Sequence, residues 1–318
     1  MTRRFWLAAL LALGGCASVI TPPKPPKPAA APHDLPEIPR SFALEQTTQR
    51  KVDHLKLRVY DTGDAVVRGS EVSSMKSWSS KVTLEDPAFL IEHPTQGLIL
   101  FGAGAAFPAR GSSPSGLPTF QAPGGRGLVE QLAADHVDRA RVRWLILPDL
   151  RPEFTGALES FPNAMVVVDS REWRQARERW LAGGGGLDTE TLASRLKLKL
   201  IDFSSAPPYG AFDHGVDLFN DGTIYLIDLS GATKGAMGLW ASLDEGPVLL
   251  TGDASWILDN HQDLALPAKA SIDDLDLYWR RLYEMKAMQT AVPRLVIFPA
   301  HDLEPLTLQP RPDVTRAP

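Results

Sequence analysis

The sequence predicts an α/β sandwich. Apolar runs of strand length, such as VRWLIL and RLVIF, alternate with segments whose apolar residues recur at helical spacing, such as GLVEQLAADHVDRARV. Early strands form hairpins: in AFLIEHPTQGLILF, Pro-Thr-Gln-Gly joins two apolar runs. Later strands alternate with helices in βα units. Hairpins combined with βα units favour packed layers over one open parallel sheet.

The remaining elements follow in order along the chain. HLKLRVYDTG alternates like a strand, and AMVVVDSREWRQARERWLAG reads as a strand that leads into an amphipathic helix. LKLKLIDF, VDLFNDGTIYLIDLSG and MGLWASLDEGPVLLTGDASW predict strands joined by turns. SIDDLDLYWRRLYEMKAMQT predicts a helix with Ser271 as its N-cap, and RLVIFPAHD predicts a last buried strand.

The N-terminal 16 residues have the composition of a secretion signal. MTRR is basic, FWLAALLAL is apolar but too short to span a bilayer, and LGG precedes Cys16, the single cysteine of the chain. This arrangement resembles a bacterial lipobox, in which the cysteine is lipidated after cleavage. Ala17 follows the cysteine in place of Asp, which by resemblance to lipoprotein sorting favours the outer membrane. We expect a lipid anchor on Cys16 in the cell envelope, facing the periplasm; the alternative is a free cysteine in an ordinary secretion signal.

Residues 17–49 predict a spacer. Proline and alanine dominate this segment, and such a composition is typical of an extended polyproline-like chain that holds a domain away from a membrane. A Pro-rich docking motif is the alternative. The folded domain is predicted over residues 50–305, with a C-terminal tail at 306–318. The net charge of −5 and the lack of a basic stripe interleaved with aromatics exclude nucleic acid as a partner.

The order of these segments resembles the metallo-β-lactamase superfamily, and within it the lactonase-like hydrolases. AFLIEHPTQGLILFGAG is similar to the opening hairpin of that family, and WLILPDLRPEFTGALESFPNA to the strand and loop that carry His-x-His-x-Asp-His. LFNDGTIYLIDLSGATKGAMGLWASL is similar to the segment with Pro-Gly-His-Thr-Pro-Gly-His, LLTGDASW to the Gly-Asp turn, and VIFPAHD to the final strand and histidine. The resemblance spans about residues 50 to 305 and implies a four-layer αβ/βα sandwich of two mixed sheets.

The same resemblance implies where a metal site would lie. With Thr155-Gly156 setting the register, Asp149 and Arg151 stand where the first two histidines belong. Glu153 stands at the aspartate and Phe154 at the third histidine.

Other positions complete this comparison. Ala232 replaces the histidine of the later segment, while Gly102 and Ala103 replace the Asp-Thr of the opening hairpin. Asp253, the usual bridging carboxylate, and His301, the last ligand, are retained and are the candidate catalytic residues. Two intact ligands are fewer than the three protein ligands typical of a catalytic zinc.

Arg151 is the most unusual of these replacements. A guanidinium has no lone pair to donate and repels a cation. We predict that Arg151 stands in for the metal by pairing with Asp253 or Glu153, because buried carboxylates would otherwise repel one another. The alternative is a loop that lies on the surface, with its charges solvated.

Three functions remain open at this stage. The first is a non-catalytic envelope protein without a cofactor, whose former active-site cleft binds a small-molecule ligand or an envelope protein. The second is a hydrolase of lactones or esters with a divalent metal, such as manganese, magnesium or zinc. Its ligands would be Asp149, Glu153, Asp253 and His301, an oxygen-rich set that suits the harder ions, and Arg151 would clamp the substrate. The third is a structural envelope lipoprotein.

Overall fold

The structure, a computed structural model, describes residues 34–35, 37–42, 45, 50–105, 119–184, 186–268 and 271–317. The predicted signal sequence, Cys16 and most of the predicted spacer lie outside the described residues. Within the part of the chain that the structure describes, no helix combines the length and the apolar character needed to cross a membrane.

Two mixed β-sheets form the centre of the fold. The larger sheet contains β1 (Lys56–Arg68), β2 (Lys81–His93), β3 (Gly97–Phe101), β4 (Val142–Ile146), β5 (Met165–Asp169), β6 (Lys197–Ile201) and β12 (Val314–Arg316), in the order β12-β1-β2-β3-β4-β5-β6. The smaller sheet contains β7 (Gly215–Asp217), β8 (Ile224–Asp228), β9 (Met237–Leu243), β10 (Gly246–Leu250) and β11 (Val296–Phe298), in the order β11-β10-β9-β8-β7.

The strand pairing follows the predicted change from hairpins to βα units. In the larger sheet, β1 pairs antiparallel with β2 and β2 with β3, whereas β3, β4, β5 and β6 run parallel. The parallel strands are joined through helices, as parallel pairing requires. The turn between β2 and β3 is tight, and Gly97 at its end has a φ of 82°, a conformation that favours glycine.

Eight α-helices lie in the described part of the chain. They are α1 (Gly69–Val72), α2 (Leu128–Ala134), α3 (Pro152–Thr155), α4 (Ser170–Leu181), α5 (Thr189–Arg195), α6 (Leu258–Asp263), α7 (Leu275–Ala291) and α8 (Pro305–Leu308). The prediction of Ser271 as the N-cap of α7 is wrong. The helix begins later, and the Asp274 side chain caps it by accepting from the Leu277 N–H at 3.0 Å. A carboxylate in this position satisfies an otherwise unpaired amide of the first turn.

Three apolar clusters divide the fold into four layers. The inner faces of the two sheets pack together, for example Phe89 of β2 against Phe298 of β11, whose ring centroids lie 5.6 Å apart. The outer face of the larger sheet packs against α2, α4 and α5, with Trp173 among the buried residues. The outer face of the smaller sheet packs against α7 through Met285 and Met288. The predicted four-layer αβ/βα sandwich is therefore confirmed.

Two parts of the predicted domain organisation differ from the structure. The described part of the predicted tail, residues 306–317, belongs to the domain, because β12 pairs parallel with β1, with Leu57 opposite Val314, and Val314 joins the core between the sheets. A strand of three residues is too short to give a periodic signal. Within the predicted spacer, Phe42 is buried and packs edge-on against Tyr209 at 5.3 Å between ring centroids. The aromatic ring of Phe42 therefore belongs to the folded domain.

Candidate functional site

The candidate site lies where the loops after β4, β8, β10 and β11 meet at one end of the sandwich. Asp149 follows β4, Ala232 follows β8, Asp253 follows β10 and His301 follows β11. Such loop clusters at strand ends are where α/β proteins place their chemistry. The structure brings together the seven residues predicted for this site: Asp149, Arg151, Glu153, Phe154, Ala232, Asp253 and His301.

Both terminal nitrogens of the Arg151 guanidinium donate to protein oxygens. Its Nη1 donates to Asp253 Oδ2, and its Nη2 donates to the carbonyls of Ser271 at 2.7 Å and Ala232 at 3.2 Å. Its Nε lies 4.0 Å from Asp149 Oδ2. The predicted pairing of Arg151 with Asp253 is present, and the alternative of a solvated loop is wrong because the side chain of Asp149 is completely buried.

The three carboxylates of the site differ in their electrostatic environment. Burial raises the pKa of Asp253, but the Arg151 guanidinium and the neighbouring His301 together outweigh burial and hold that pKa below its ordinary value. Burial raises the pKa of Asp149 well above its ordinary value, even though Arg151 lies nearby. Burial and the Asp253 charge together raise the pKa of Glu153 to about 8. Asp253 is therefore the carboxylate that the protein itself keeps ionised.

Three ligand atoms converge on one small volume. Glu153, Asp253 and His301 each offer one donor atom, and these atoms lie within 4.8 Å of one another. Asp253 Oδ1 and His301 Nε2 are 3.2 Å apart without the alignment of a hydrogen bond, and neither atom has a hydrogen-bond partner among the described residues. Glu153 Oε1 is likewise buried and unpaired within that part of the chain. Buried polar atoms are normally paired, so this cluster has the donors that a single cation requires.

The orientation of His301 supports the same interpretation. Its Nδ1 lies 2.9 Å from the backbone carbonyl of Glu85. A carbonyl oxygen only accepts, so Nδ1 carries a proton, and in the neutral imidazole Nε2 presents its lone pair towards Asp253 and Glu153. Burial lowers the pKa of His301, but the neighbouring Asp253 carboxylate outweighs burial and raises that pKa above its ordinary value, so a cation bound at Nε2 would have to displace a proton. A hydrogen bond of this kind to the second ring nitrogen is the usual support of a metal-binding histidine.

Aromatic rings enclose His301. The rings of Phe120, Trp256 and Phe154 lie with centroids 4.9, 5.8 and 6.3 Å from the imidazole, and Phe154 is parallel to it. Phe154 occupies the position of a histidine in the family resemblance, and here it packs instead of presenting a donor. Ala232 is fully buried and contributes only its carbonyl oxygen, which accepts from Arg151. Neither replacement supplies a side-chain ligand atom, and both residues are buried.

Sequence reasoning missed two polar residues beside the cluster. Asp86 is fully buried; its Oδ2 accepts from Thr62 Oγ1 at 2.7 Å and from the Ala105 N–H at 2.9 Å, and burial raises its pKa to about 6. Its acidic character within the apolar strand EDPAFL was the available signal. The Tyr278 hydroxyl on α7 is buried without a partner among the described residues, and burial followed by the Asp253 charge raises its pKa.

His261 lies near this region but does not join the donor cluster. It is completely buried on α6, and its Nδ1 lies 3.0 Å from Ser255 Oγ. Burial lowers the pKa of His261 to about 3. His261 is therefore a neutral, buried residue that packs through Ser255 against the segment that follows Asp253.

Comparison with known proteins finds a curated relative of this chain. No protein-family model matches the chain. The N-acyl homoserine lactonase AttM of Agrobacterium fabrum is 32% identical over 192 residues, which cover 57% of this chain and 69% of that relative.

Solved structures share the fold at lower identity. An N-acyl homoserine lactone hydrolase with N-hexanoyl-L-homoserine bound at its catalytic metal centre superimposes with a TM-score of 0.65 at 21% identity, covering 81% of this chain and 96% of the other. AidC, a dizinc quorum-quenching lactonase, gives a TM-score of 0.52 at 15% identity, covering 80% and 89%.

The prediction that the protein has no cofactor is wrong. The converging unpaired donors of Glu153, Asp253 and His301 overturn it, and proteins of the same fold hold metal at their catalytic centres. Glu153, which the sequence predicts as a ligand only in the alternative of an active hydrolase, supplies the third donor atom. With a relative 32% identical matched over 69% of its length and a shared four-layer fold, the chain belongs to the metallo-β-lactamase-fold superfamily, among its lactonase-like hydrolases.

Proposed function

We propose that this protein is a metal-dependent hydrolase of lactones, with N-acyl homoserine lactones as its substrate class. The observation that carries the proposal is the convergence of three buried, unpaired ligand atoms on Glu153, Asp253 and His301. The lactonase relative supplies the substrate class. Together they favour the hydrolase alternative over the non-catalytic one.

The donor set fits one divalent ion. Two carboxylates and one imidazole are three protein ligands, the number typical of a catalytic metal site that keeps a position open for water or substrate. Two oxygen donors also suit manganese or magnesium, whereas the single imidazole permits zinc. The chemistry that such an ion supplies is activation of water near neutral pH and polarisation of the ester carbonyl.

The protein's own residues hold this set in place. The Glu85 carbonyl orients His301, and Arg151 orients Asp253 and keeps it ionised. The ring of Phe154 shields one side of the imidazole. Because the Nη atoms of Arg151 donate to Asp253 and to two backbone carbonyls, Arg151 is a positioning residue in this proposal rather than a clamp on the substrate.

Hydrolysis assays with purified protein test the proposal. Protein loaded with Mn²⁺, Zn²⁺ or Mg²⁺ should open N-acyl homoserine lactones, and chelation should abolish this activity. Asp253→Asn should lower kcat/KM by at least about 100-fold, as expected when a charge-bearing group of a catalytic site is lost. Asp228→Asn is the matched control, because Asp228 is also a buried aspartate paired with an arginine, Arg171, at 3.0 Å. No turnover of any lactone or ester by metal-loaded protein would contradict the proposal.

We also propose that the domain is anchored by lipid on Cys16 at the outer membrane, facing the periplasm. The support is the basic start, the short apolar run and the LGGC sequence. A lactonase held there would meet diffusible substrates before they reach the cytoplasm.

A further inference from the structure

We infer that the guanidinium of Arg151 fills the second of two cation positions in this site, so that the protein binds one divalent ion where an uncharged ligand at position 151 would admit two. This inference rests on the metal site of the proposed function and states its stoichiometry.

The two oxygens of Asp253 face different cations. Oδ1 lies beside His301 Nε2, 3.2 Å away, on the side of the three-donor cluster. Oδ2 accepts from Arg151 Nη1 on the other side. A carboxylate that turns one oxygen towards an open donor cluster and the other towards a fixed positive charge has the geometry of a bridging ligand, with the arginine at the second end of the bridge.

Asp149 borders the second cation position. Its side chain is completely buried, and its Oδ1 accepts from the backbone N–H of Arg151 at 2.8 Å. Its Oδ2 has no hydrogen-bond partner among the described residues and lies 4.0 Å from Arg151 Nε. This oxygen is too far from the guanidinium for a hydrogen bond. It is a buried acceptor aimed at the space that the guanidinium occupies.

The oxygens around Arg151 are typical of a cation site. Asp149, Asp253 and the carbonyls of Ala232 and Ser271 surround the guanidinium. The guanidinium therefore already supplies a fixed positive charge at this position, and a second divalent ion placed there would be repelled by it.

Metal content of purified protein tests the inference directly. Wild type, Arg151→Lys and Arg151→His are loaded with Zn²⁺, freed of excess ion, and analysed for bound zinc per folded chain. Wild type and Arg151→Lys should hold one equivalent, because both keep a cation at the second position. Arg151→His should hold two, since a neutral imidazole would join Asp149 and Asp253 as ligands. Adding Asp149→Asn to Arg151→His should return the content to one equivalent.

Electron paramagnetic resonance of Mn²⁺-loaded wild type gives an independent reading that needs no variant. An isolated ion should give the hyperfine pattern of uncoupled Mn²⁺. The spectrum of a spin-coupled Mn²⁺ pair in wild type would overturn the inference. It would also be overturned by two equivalents of zinc in wild type, or by one equivalent of zinc in folded Arg151→His. One equivalent in wild type without lactone hydrolysis would contradict the proposed function while supporting the inference. Two equivalents with hydrolysis would contradict the inference alone.

Discussion

Arg151 and Asp253 lie 102 residues apart in the chain and form a buried ion pair at the centre of the site. The Asp253 side chain is completely buried and that of Arg151 is 11% exposed. Breaking such a pair from one side leaves the other charge buried without compensation, which is costly. The pair therefore has a role in the stability of the fold as well as in the organisation of the site.

Arg151→Ala should lower the free energy of unfolding of the metal-free protein by about 3–5 kcal/mol, because the Asp253 charge loses its partner. Chemical denaturation in the presence of chelator measures this change. Arg177→Ala is the control, since Arg177 pairs with Glu190 on the surface at 2.6 Å and its loss should cost less than about 1 kcal/mol. An equal, small change in both variants would show that the Arg151 pair contributes nothing.

His261 should make the protein less stable in acid. Burial lowers its folded-state pKa to about 3 from an ordinary value of 6.5. Below about pH 6.5 His261 is protonated in the unfolded chain but stays neutral in the folded chain. His261 therefore contributes stability above that pH, and this contribution is lost as the pH falls towards 3. The loss should approach about 1.4 kcal/mol per pH unit.

A matched variant isolates this contribution. His261→Gln removes the titrating ring, so the stability advantage of wild type over the variant should shrink as the pH falls from about 6 to about 4.5. Urea denaturation at a series of pH values measures the difference. A constant difference across that range would mean that His261 is protonated equally easily in both states.

Val314→Ala should destabilise the protein by about 1.5 kcal/mol, because Val314 of β12 packs in the core between the sheets and loses two buried methyl groups. Thr315→Ala on the same strand is exposed and should change stability by no more than about 0.5 kcal/mol. Thermal denaturation of both variants decides whether residues 306–318 belong to the domain. Equal midpoints would restore the interpretation of a tail.

Cys16→Ser should move the protein from the membrane fraction to the soluble fraction of the cells that produce it. The reason is that a lipobox cysteine carries the acyl chains that hold the protein on the bilayer. Fractionation followed by immunoblotting checks the outcome, with wild type as the membrane-bound reference. Membrane association that persists in Cys16→Ser would show that the anchor lies elsewhere.

Much of the fold follows from the sequence because apolar periodicity reports burial directly. The hairpin of β2 and β3 and the buried strand β4 came from such patterns. Strand β12 and the buried Phe42 did not, since three residues or one aromatic ring carry no period. Both are held to the domain by contacts with residues distant in the chain, β12 by pairing with β1 and Phe42 by packing against Tyr209. Local sequence patterns do not reveal such contacts.

The residues that meet at the candidate site were predicted from the sequence, whereas the main prediction that the site holds no metal was wrong. The register placed Arg151 beside Asp253, which the structure contains. The hydrogen bond that orients His301 involves the carbonyl of Glu85, a residue 216 positions earlier than His301. From the sequence alone the loss of histidines predicted a site with no metal, whereas the structure brings donor atoms of Glu153, Asp253 and His301 within 4.8 Å of one another.

Zinc or manganese content of the wild-type protein, compared with that of His301→Ala, tests the assignment of the metal site most directly. We predict one tightly held equivalent per chain in wild type and its loss in His301→Ala, because removing the imidazole leaves only the carboxylates of Glu153 and Asp253. Wild-type protein that holds no divalent ion after loading, or His301→Ala that holds it as tightly as wild type, would contradict the assignment.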